Sequence, residues 1–348
     1  MATIDALLEH LTKVGGSDLH LNAGEPPKLR LRGVIQTIED LGALSSAELE
    51  EVLREIAPAG RWRDLDTEGD VDFAYSLKGT GRFRTNVFRE ERGLAAVCRA
   101  IPDQVPDLET LGLPPAVLRC AELDRGLALV TGPTGSGKST TLAAIVDHIN
   151  RNRSLHIVTI EDPVEFVHAN RRSIVSQREI GQDTGSFEEA LRAALREDAD
   201  VILVGELRDL ETISLALTAA EMGSLVFGTL HTNSATSTID RLVDVFPFDR
   251  QAHARASLGD TLVAVICQQL LPTVDGGGRA AAVEILFRAR GLGNIIREGN
   301  TPMIRSIIQS GRRAGMQTLD ESLDALVRAG KVSVEAARSR AADPSRVG

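Results

Sequence analysis

A nine-residue segment, Gly132-Pro-Thr-Gly-Ser-Gly-Lys-Ser-Thr, has the residue types and the G-x-x-x-x-G-K-[ST] spacing of a phosphate-binding loop. It follows an apolar run and leads into a helical pattern, which is the context that this motif requires. Glycines let successive backbone N–H groups point at phosphate oxygens, and the helix N-terminus adds its positive dipole end. The sequence therefore predicts a nucleoside triphosphate site formed by Gly132, Pro133, Thr134, Gly135, Ser136, Gly137, Lys138, Ser139 and Thr140.

Three polar groups of this region predict specific contacts with the nucleotide and its metal. Lys138 would neutralise charge on the β- and γ-phosphates, and the Ser139 hydroxyl would ligate Mg²⁺. Glu206 ends the apolar run Val201-Ile-Leu-Val-Gly. Because strands of a parallel sheet carry their ligand-facing groups at the C-terminal ends, we expect Glu206 to organise Mg²⁺ or its water shell. A solvated glutamate at the start of a helix is the alternative.

Further polar residues follow two other apolar runs. Glu161, Asp162 and Glu165 come after the run at 156–160, and one of them could polarise the attacking water, although acids are also common in turns. His231 follows the run at 225–230, where a γ-phosphate, interface or purely structural role is open. No HExxH motif or Cys/His cluster is present in the sequence, which argues against a zinc function.

The elements that would position these residues form an α/β pattern in the second part of the chain. Because apolar strands that alternate with helices form a parallel sheet covered on both faces, this fold class is predicted there. The expected strands are 127–131, 156–160, 201–204 and 225–230, with helices at 141–149, 186–197 and 212–221, and a helical end from residue 301.

The first hundred residues read instead as a small α+β unit. Proline-rich, aperiodic stretches at 101–107 and 112–115 separate the two parts and indicate a linker. We therefore predict domains at 1–101 and 113–348 with a linker at 102–112. The elements expected in the first domain are helices at 2–14 and 46–56 and strands at 18–21, 28–32, 71–75, 81–88 and 95–99.

Composition excludes several classes of function. The net charge of −10 argues against a general nucleic-acid-binding surface, which needs a basic excess. The cysteines Cys98, Cys120 and Cys267 are widely spaced, which predicts buried, reduced thiols rather than disulfides. No signal peptide and no membrane-spanning run are expected, so any membrane association would go through partners.

Four motifs in one order give the sequence a family resemblance. The phosphate loop is followed by Ile160-Glu-Asp-Pro-Val-Glu-Phe-Val-His, Val201-Ile-Leu-Val-Gly-Glu-Leu-Arg-Asp and Gly228-Thr-Leu-His-Thr-Asn. This order resembles the Walker A, Asp box, Walker B and His box of the secretion ATPase superfamily. Within it, the chain is most similar to the type IV pilus retraction (twitching motility) ATPases of the PilT type. Further matching segments along the chain extend the resemblance over nearly its whole length. They are Ser17-Asp-Leu-His-Leu, Arg82-Phe-Arg-Thr-Asn-Val-Phe-Arg, Ala190-Leu-Arg-Ala-Ala-Leu-Arg-Glu-Asp and Gly315-Met-Gln-Thr-Leu-Asp.

The resemblance implies a hexameric ring that hydrolyses ATP with Mg²⁺. Each subunit would have a PAS-like N-terminal domain and a RecA-like P-loop core. The family's motifs also assign roles. By this match Lys138 and Ser139 bind phosphate and Mg²⁺, Glu165 is the catalytic carboxylate, Glu206 is the Walker B acid, His231 is an active-site residue, and Arg84 and Arg99 present guanidinium groups to a neighbouring subunit's nucleotide.

The resemblance further implies a cytoplasmic motor at the pilus base that drives retraction through an inner-membrane platform protein, without inserting into the membrane. One motif departs from the family. Where the family has Ala-Ile-Arg-Asn-Leu-Ile-Arg-Glu, this chain has Gly291-Leu-Gly-Asn-Ile-Ile-Arg-Glu, with Gly293 in place of the first arginine. Coupling of hydrolysis to retraction is therefore open. The alternatives are a pilus-extension or type II secretion assembly ATPase, which usually carries a four-cysteine zinc insertion, and a nucleic-acid motor.

Overall fold

The computed structural model describes residues 3–31, 33–39, 41–101 and 104–348. These residues form two compact units that are not continuous in sequence. The first unit contains Met1–Gln104 together with Glu161–Val167 and Arg178–Ser186, and the second contains the rest. The predicted domain limits of 1–101 and 113–348 stay a prediction.

The first unit is an α+β structure whose described strands form a six-stranded antiparallel sheet in the order β3-β2-β1-β6-β5-β4. Helix α2 begins at Ser46 because Ser45 and Glu48 form a reciprocal capping box. The elements are α1 (Thr3–Lys13), β1 (Asp18–Asn22), β2 (Lys28–Leu31), β3 (Val34–Thr37), α2 (Ser46–Ile56), α3 (Ala59–Glu68), β4 (Asp70–Leu77), β5 (Gly81–Glu90) and β6 (Gly93–Ile101).

One face of this sheet packs against the helices to make the core of the unit. Alternation along the strands turns every second residue to this face, and helical spacing in α1 and α2 supplies the facing residues. The largest fully buried side chains of the core include Ile4, Leu8, Leu11, Leu19, Leu49, Leu53, Leu65, Phe73 and Phe83.

Two excursions of the chain, 161–167 and 178–186, are held in the first unit by ion pairs. Arg61 donates to the carboxylate of Asp162 at 2.8 Å and to the Ile180 carbonyl at 2.5 Å. Arg82 donates at 2.6 Å to the buried carboxylate of Glu179. Asp162, which follows the strand that ends at Glu161, is therefore engaged in an ion pair within this unit.

The second unit contains the phosphate-loop region and an α/β arrangement. Every residue of β7, β10 and β11 is buried, as expected for strands covered on both faces. Its elements, including the strands shared with the excursions, are β7 (Gly126–Thr131), α4 (Lys138–Asn152), β8 (His156–Glu161), β9 (Ile174–Glu179), α5 (Phe187–Ala194), β10 (Val201–Val204), α6 (Leu210–Met222), β11 (Leu225–Leu230), α7 (Ala235–Asp244), α8 (Phe248–Thr261), β12 (Leu262–Pro272), β13 (Arg279–Phe287), α9 (Leu292–Arg297), α10 (Ile304–Ser310), α11 (Leu319–Arg328) and α12 (Val334–Arg338).

The sheet of the second unit is mixed rather than wholly parallel. Among the described residues the strand order is β13-β12-β7-β11-β10-β8-β9. The pairs from β12 through β8 are parallel, but β13 runs antiparallel to β12. In this register Thr131 pairs with Leu230, and Val204 pairs with both Gly228 and Ile160. The C-terminal ends of β7, β10 and β11 therefore lie at one edge, and the loops after them share it.

The helices and strands predicted from sequence patterns are present, with ends shifted by a few residues. The patterns missed β3 and α3 in the first unit and β9, α7, α8, β12, β13 and α9 in the second, and so missed the antiparallel edge of the second sheet. Ala2 and Arg32, which the predictions included in a helix and a strand, lie outside the described residues. So do residues 102 and 103 of the predicted linker, whose later part contains a short 3₁₀ helix at Leu108–Leu111.

The three cysteines are buried, as predicted. Over the described ranges, no helix combines the length and the apolar character needed to cross a membrane.

Candidate nucleotide-binding site

The predicted phosphate loop lies between the buried strand β7 and helix α4. Gly137 precedes α4 with φ of 86°, a left-handed conformation that favours glycine. At Gly132 the backbone passes so close to strand β12 that a Cβ would lie 2.1 Å from the Gln268 carbonyl oxygen. The loop therefore has the tight, glycine-dependent path that brings backbone N–H groups to the start of a helix.

A buried amide on the neighbouring strand fastens this loop. Gln268, 3% exposed, donates from Nε2 to the Ser136 carbonyl oxygen at 2.7 Å and accepts at Oε1 from the Thr141 hydroxyl at 2.8 Å. One side chain thus joins the loop to the first turn of α4. Because both partners are buried, the loop conformation is set before any ligand binds.

Lys138, His231 and Glu206 form a connected polar group at the sheet edge. The Lys138 ammonium donates to the carbonyl oxygens of Gly132 at 2.8 Å and Pro133 at 3.2 Å, and its Nζ lies 3.4 Å from His231 Nδ1. His231 Nε2 lies 3.2 Å from Glu206 Oε1. With these neighbours, a hydrogen-bonded chain forms when Nδ1 accepts from the ammonium and Nε2 donates to the carboxylate.

Glu206 is ionised in this setting. Burial raises the pKa of its carboxyl, but the hydrogen bond from Arg208 and the charges of Arg208 and Lys138 outweigh burial, so the pKa lies below its usual range. The Arg208 guanidinium is 2.6 Å from Glu206 Oε2. The Glu206 carboxylate, the His231 ring and the Lys138 ammonium are therefore held together where the strands end.

The donor set around the loop fits Mg²⁺ bound together with a nucleotide. In the part of the chain that the structure describes, no group of three or more His, Cys, Asp or Glu side chains could hold a metal ion by itself. In nucleotide sites Mg²⁺ takes only one or two protein oxygens and completes its shell with phosphate and water. Ser139 in the first turn of α4 and the Glu206 carboxylate offer such oxygens. In the same loop, the buried Ser136 hydroxyl has no partner among the described residues.

A cavity of about 320 Å³ opens beside the loop and α4. Arg279, at its rim, donates to the Gly135 carbonyl oxygen at 3.3 Å. Small-molecule pockets combine apolar surface with a few placed polar groups, and this cavity is lined by both apolar and polar side chains. The lining includes Leu111, Leu113, Gly137, Thr140, Leu270 and Arg279.

The remaining predicted site residues lie in the first unit. Arg84 and Arg99 are directly opposite each other in the register of β5 and β6. The Arg84 guanidinium donates from Nε to Asp72 Oδ1 at 3.3 Å, and its Nη1 lies 3.8 Å from Glu165 Oε1. The first unit thus brings Arg84, Arg99 and Glu165 together, while the second unit brings Lys138 and its neighbours together.

Sequence reasoning missed Gln268 and Arg208. Gln268 stands inside the mostly apolar strand β12, and a polar residue that interrupts such a run was the available signal. Arg208 stands two residues after Glu206, where a nearby cation could have been noticed. The backbone also contributes: Thr229 donates from Oγ1 to the Gly205 carbonyl oxygen at 2.5 Å, which ties the turn before Glu206 to strand β11.

Comparisons with known proteins bear on this geometry. A family model described as type II/IV secretion system protein matches residues 2–346. The chain is 49% identical over 341 residues to the type IV pilus retraction ATPase PilT of Pseudomonas aeruginosa, with 98% of each chain covered. It is 50% identical over 315 residues to the twitching motility protein of Neisseria gonorrhoeae, covering 90% of this chain and 84% of the relative. Its fold is similar to the crystal structure of the pilus retraction motor PilT with bound ADP, with a TM-score of 0.90, 44% identity, and 99% and 98% of the two chains covered.

Proposed function

Because this chain belongs to the type II/IV secretion system protein family, we propose that it is an ATPase motor that drives retraction of type IV pili. It binds a nucleotide at the loop 132–140 and hydrolyses ATP to ADP and phosphate. The observation that carries the proposal is the loop-bound Lys138 together with His231 and Glu206, in a chain that matches a retraction ATPase over nearly its whole length.

The predicted site residues of the second unit act on the phosphates and on the metal. The loop N–H groups and Lys138 bind the phosphates, and Ser139 and Glu206 would hold Mg²⁺, which would supply positive charge to neutralise the phosphates. His231 lies between Lys138 and Glu206, so it fixes the positions of the ammonium and the carboxylate relative to the γ-phosphate. The nucleotide base occupies the cavity beside Gly137 and Thr140, whose lining offers both apolar surface and polar side chains.

Cleavage needs groups that the second unit does not supply by itself. Glu165 acts as the carboxylate that polarises the attacking water, and Arg84 and Arg99 stabilise charge on the transferring phosphoryl group. In this proposal the two arginines act on the nucleotide of a neighbouring subunit, in a hexameric ring. Each subunit has a PAS-like domain at 1–101 and a RecA-like core with a mainly parallel sheet at 113–348.

The motor works against a partner in the inner membrane. We place it on the cytoplasmic side at the pilus base, where closing and opening of subunit interfaces moves a platform protein. The chain itself does not insert into the membrane, and no nucleic acid takes part, which the net charge of −10 supports.

A first experiment tests the chemistry in vitro. Replacing the phosphate-binding lysine, Lys138→Ala, should lower kcat for Mg-ATP hydrolysis by about a hundredfold or more, because charge at the phosphates is no longer neutralised. The exposed Lys78→Ala variant is the matched control and should keep the wild-type rate. Full activity of the Lys138→Ala rings would refute the proposed site.

A second experiment tests whether the arginines act between subunits. A chain carrying both Arg84→Ala and Arg99→Ala is mixed with a Lys138→Ala chain. If the arginines serve the neighbour's nucleotide, mixed rings contain some complete sites and regain hydrolysis. No recovery in rings confirmed to be mixed by mass measurement would refute action in trans.

A third experiment separates retraction from extension, which matters because Gly293 replaces an arginine of the family motif. Deleting the gene should give cells with excess surface pili that do not twitch. Cells without pili would instead support the pilus-extension alternative. DNA-stimulated turnover of the purified protein would favour a nucleic-acid motor.

A further inference from the structure

A row of charged residues crosses the sheet of the first unit on one face. Arg30 on β2 pairs with Asp18 on β1, Asp18 pairs with Arg99 on β6, and Arg99 pairs with Arg84 on β5. Residues directly opposite each other on antiparallel strands project from the same face with their Cβ atoms about 5 Å apart. The row therefore reads Arg30, Asp18, Arg99, Arg84, with one acid among three cations.

Asp18 is the buried member of this row, at 3% exposed. Its Oδ1 accepts from Arg99 Nε at 2.7 Å, and its Oδ2 accepts from the Ser17 hydroxyl at 2.7 Å. Arg30 Nε lies 3.7 Å from the same Oδ2. Burial raises the pKa of the Asp18 carboxyl, but the bonds from Arg99 and Ser17 outweigh it and hold that pKa below its usual range. A charged carboxylate is therefore fixed beneath the arginine.

Arg99 differs from Asp18 in being open to solvent, with its side chain 69% exposed. Among the described residues, Asp18 holds Arg99 through Nε, and the exposure of the side chain leaves the terminal amino groups of the guanidinium open to solvent. Arg84 lies directly opposite, and like charges in that position repel. Arg84 has its own carboxylate partners in Asp72 and Glu165, whereas Asp18 is the carboxylate that hydrogen-bonds to Arg99 and holds it in one orientation.

We propose that Asp18 is a positioning residue that orients the Arg99 guanidinium for phosphate binding. The inference rests on the proposed function, in which Arg99 contacts the nucleotide of a neighbouring subunit. A hydrogen bond at Nε fixes the plane of the guanidinium group and leaves its two terminal amino groups free to make a bidentate contact with phosphate oxygens. It also removes, before catalysis, rotamer freedom that an unanchored arginine would lose on contact.

The test measures kcat and KM for ATP in four versions of the full chain: wild type, Asp18→Asn, Arg99→Ala and the double variant. Loss of a charge-assisted hydrogen bond should lower kcat about ten- to a hundredfold in Asp18→Asn, with KM changed about twofold at most. Because Asp18 acts only through Arg99, the double variant should be no slower than Arg99→Ala. Asp18→Glu, which keeps the charge, should recover part of the rate.

Two outcomes would overturn the inference. The first is an Asp18→Asn variant as active as wild type while Arg99→Ala is impaired. The second is a further loss of kcat when Asp18→Asn is added to Arg99→Ala, because that loss would show a merely structural effect. An Arg99→Ala variant with normal kcat would instead refute the proposed role of Arg99, so the two failures are distinguishable.

Matched variants separate positioning from folding. Asp5 is another buried carboxylate of the same unit, 6% exposed, and accepts from the Tyr75 hydroxyl at 2.8 Å. Asp5→Asn should therefore lower the unfolding midpoint without lowering kcat. If Asp18→Asn does not fold, Arg99→Lys keeps Asp18 in place. Its single ammonium would be held by Asp18, so its kcat should match that of Arg99→Ala, and retention of half the wild-type kcat would contradict the inference.

Discussion

The amide of Gln268 offers the sharpest test of how the phosphate loop is held. Gln268→Leu keeps a side chain of similar size but removes the donor to the Ser136 carbonyl and the acceptor for the Thr141 hydroxyl. Thr141 can donate instead to the Gly137 carbonyl four residues earlier, as threonines in helices do. The buried Ser136 carbonyl has no such replacement.

The size of the effect follows from that one orphaned group. Leaving a buried acceptor unpaired costs about 1–3 kcal/mol. The loop can avoid the cost only by leaving the conformation that cradles phosphate. If the loop does so, ADP affinity should fall about 5- to 150-fold, the equivalent of the same free energy. The urea midpoint of the second unit should fall as well, because the unpaired state is less stable.

Isothermal titration with Mg-ADP measures the first quantity and urea unfolding the second. Gln269→Leu is the matched control. Gln269 is the next residue on β12, is only half-buried, and projects from the other face of the strand. It should bind ADP normally. If Gln268→Leu binds ADP within about twofold of wild type, the loop does not depend on this amide and the reasoning is refuted.

Two further predictions concern the C-terminal part of the second unit. At Gly293 a Cβ would lie 2.6 Å from the Gly259 carbonyl oxygen. Gly293→Ala should therefore force α8 and α9 apart and lower the free energy of unfolding, measured in urea, by about 1–3 kcal/mol. Gly278 has open space around it, so Gly278→Ala should cause no such loss, and equal losses in the two variants would contradict the prediction. Burial raises the pKa of the Glu284 carboxyl despite the N–H bond from Ala235, so its neutral form is favoured in the fold and its stabilising contribution is lost as pH rises through the folded pKa. Glu284→Gln should therefore gain stability relative to wild type as the pH rises above 4.5, the ordinary pKa of this carboxyl, and a difference that does not change with pH would count against it.

Local chemistry explains which parts of the site the sequence could predict. The phosphate loop needs glycine at particular backbone conformations, and Glu206 and His231 each follow a buried strand, so a few neighbouring residues suffice to indicate them. Gln268 could not be assigned in this way. Its function depends on β12 lying beside β7, a pairing between segments more than a hundred residues apart.

The missed elements have equally physical causes. All residues of β3 are exposed, so no alternation between buried and exposed positions marks it. Helix α3, Ala59–Glu68, is largely polar and buries only Trp62 and Leu65, which leaves a weak helical pattern. The pairing of Asp18 with Arg99 depends on sheet register, which a single sequence does not specify for strands eighty residues apart.

The two excursions of the chain into the first unit also determine what can be expressed alone. A fragment that begins after the linker keeps every nucleotide-binding motif but lacks Arg82, whose guanidinium neutralises the carboxylate of Glu179. It also lacks Arg61, the partner of Asp162. Because Glu179 is buried and an uncompensated buried charge is strongly destabilising, we expect the shortest stable fragment to depend on these ion pairs as well as on the borders of the sequence motifs.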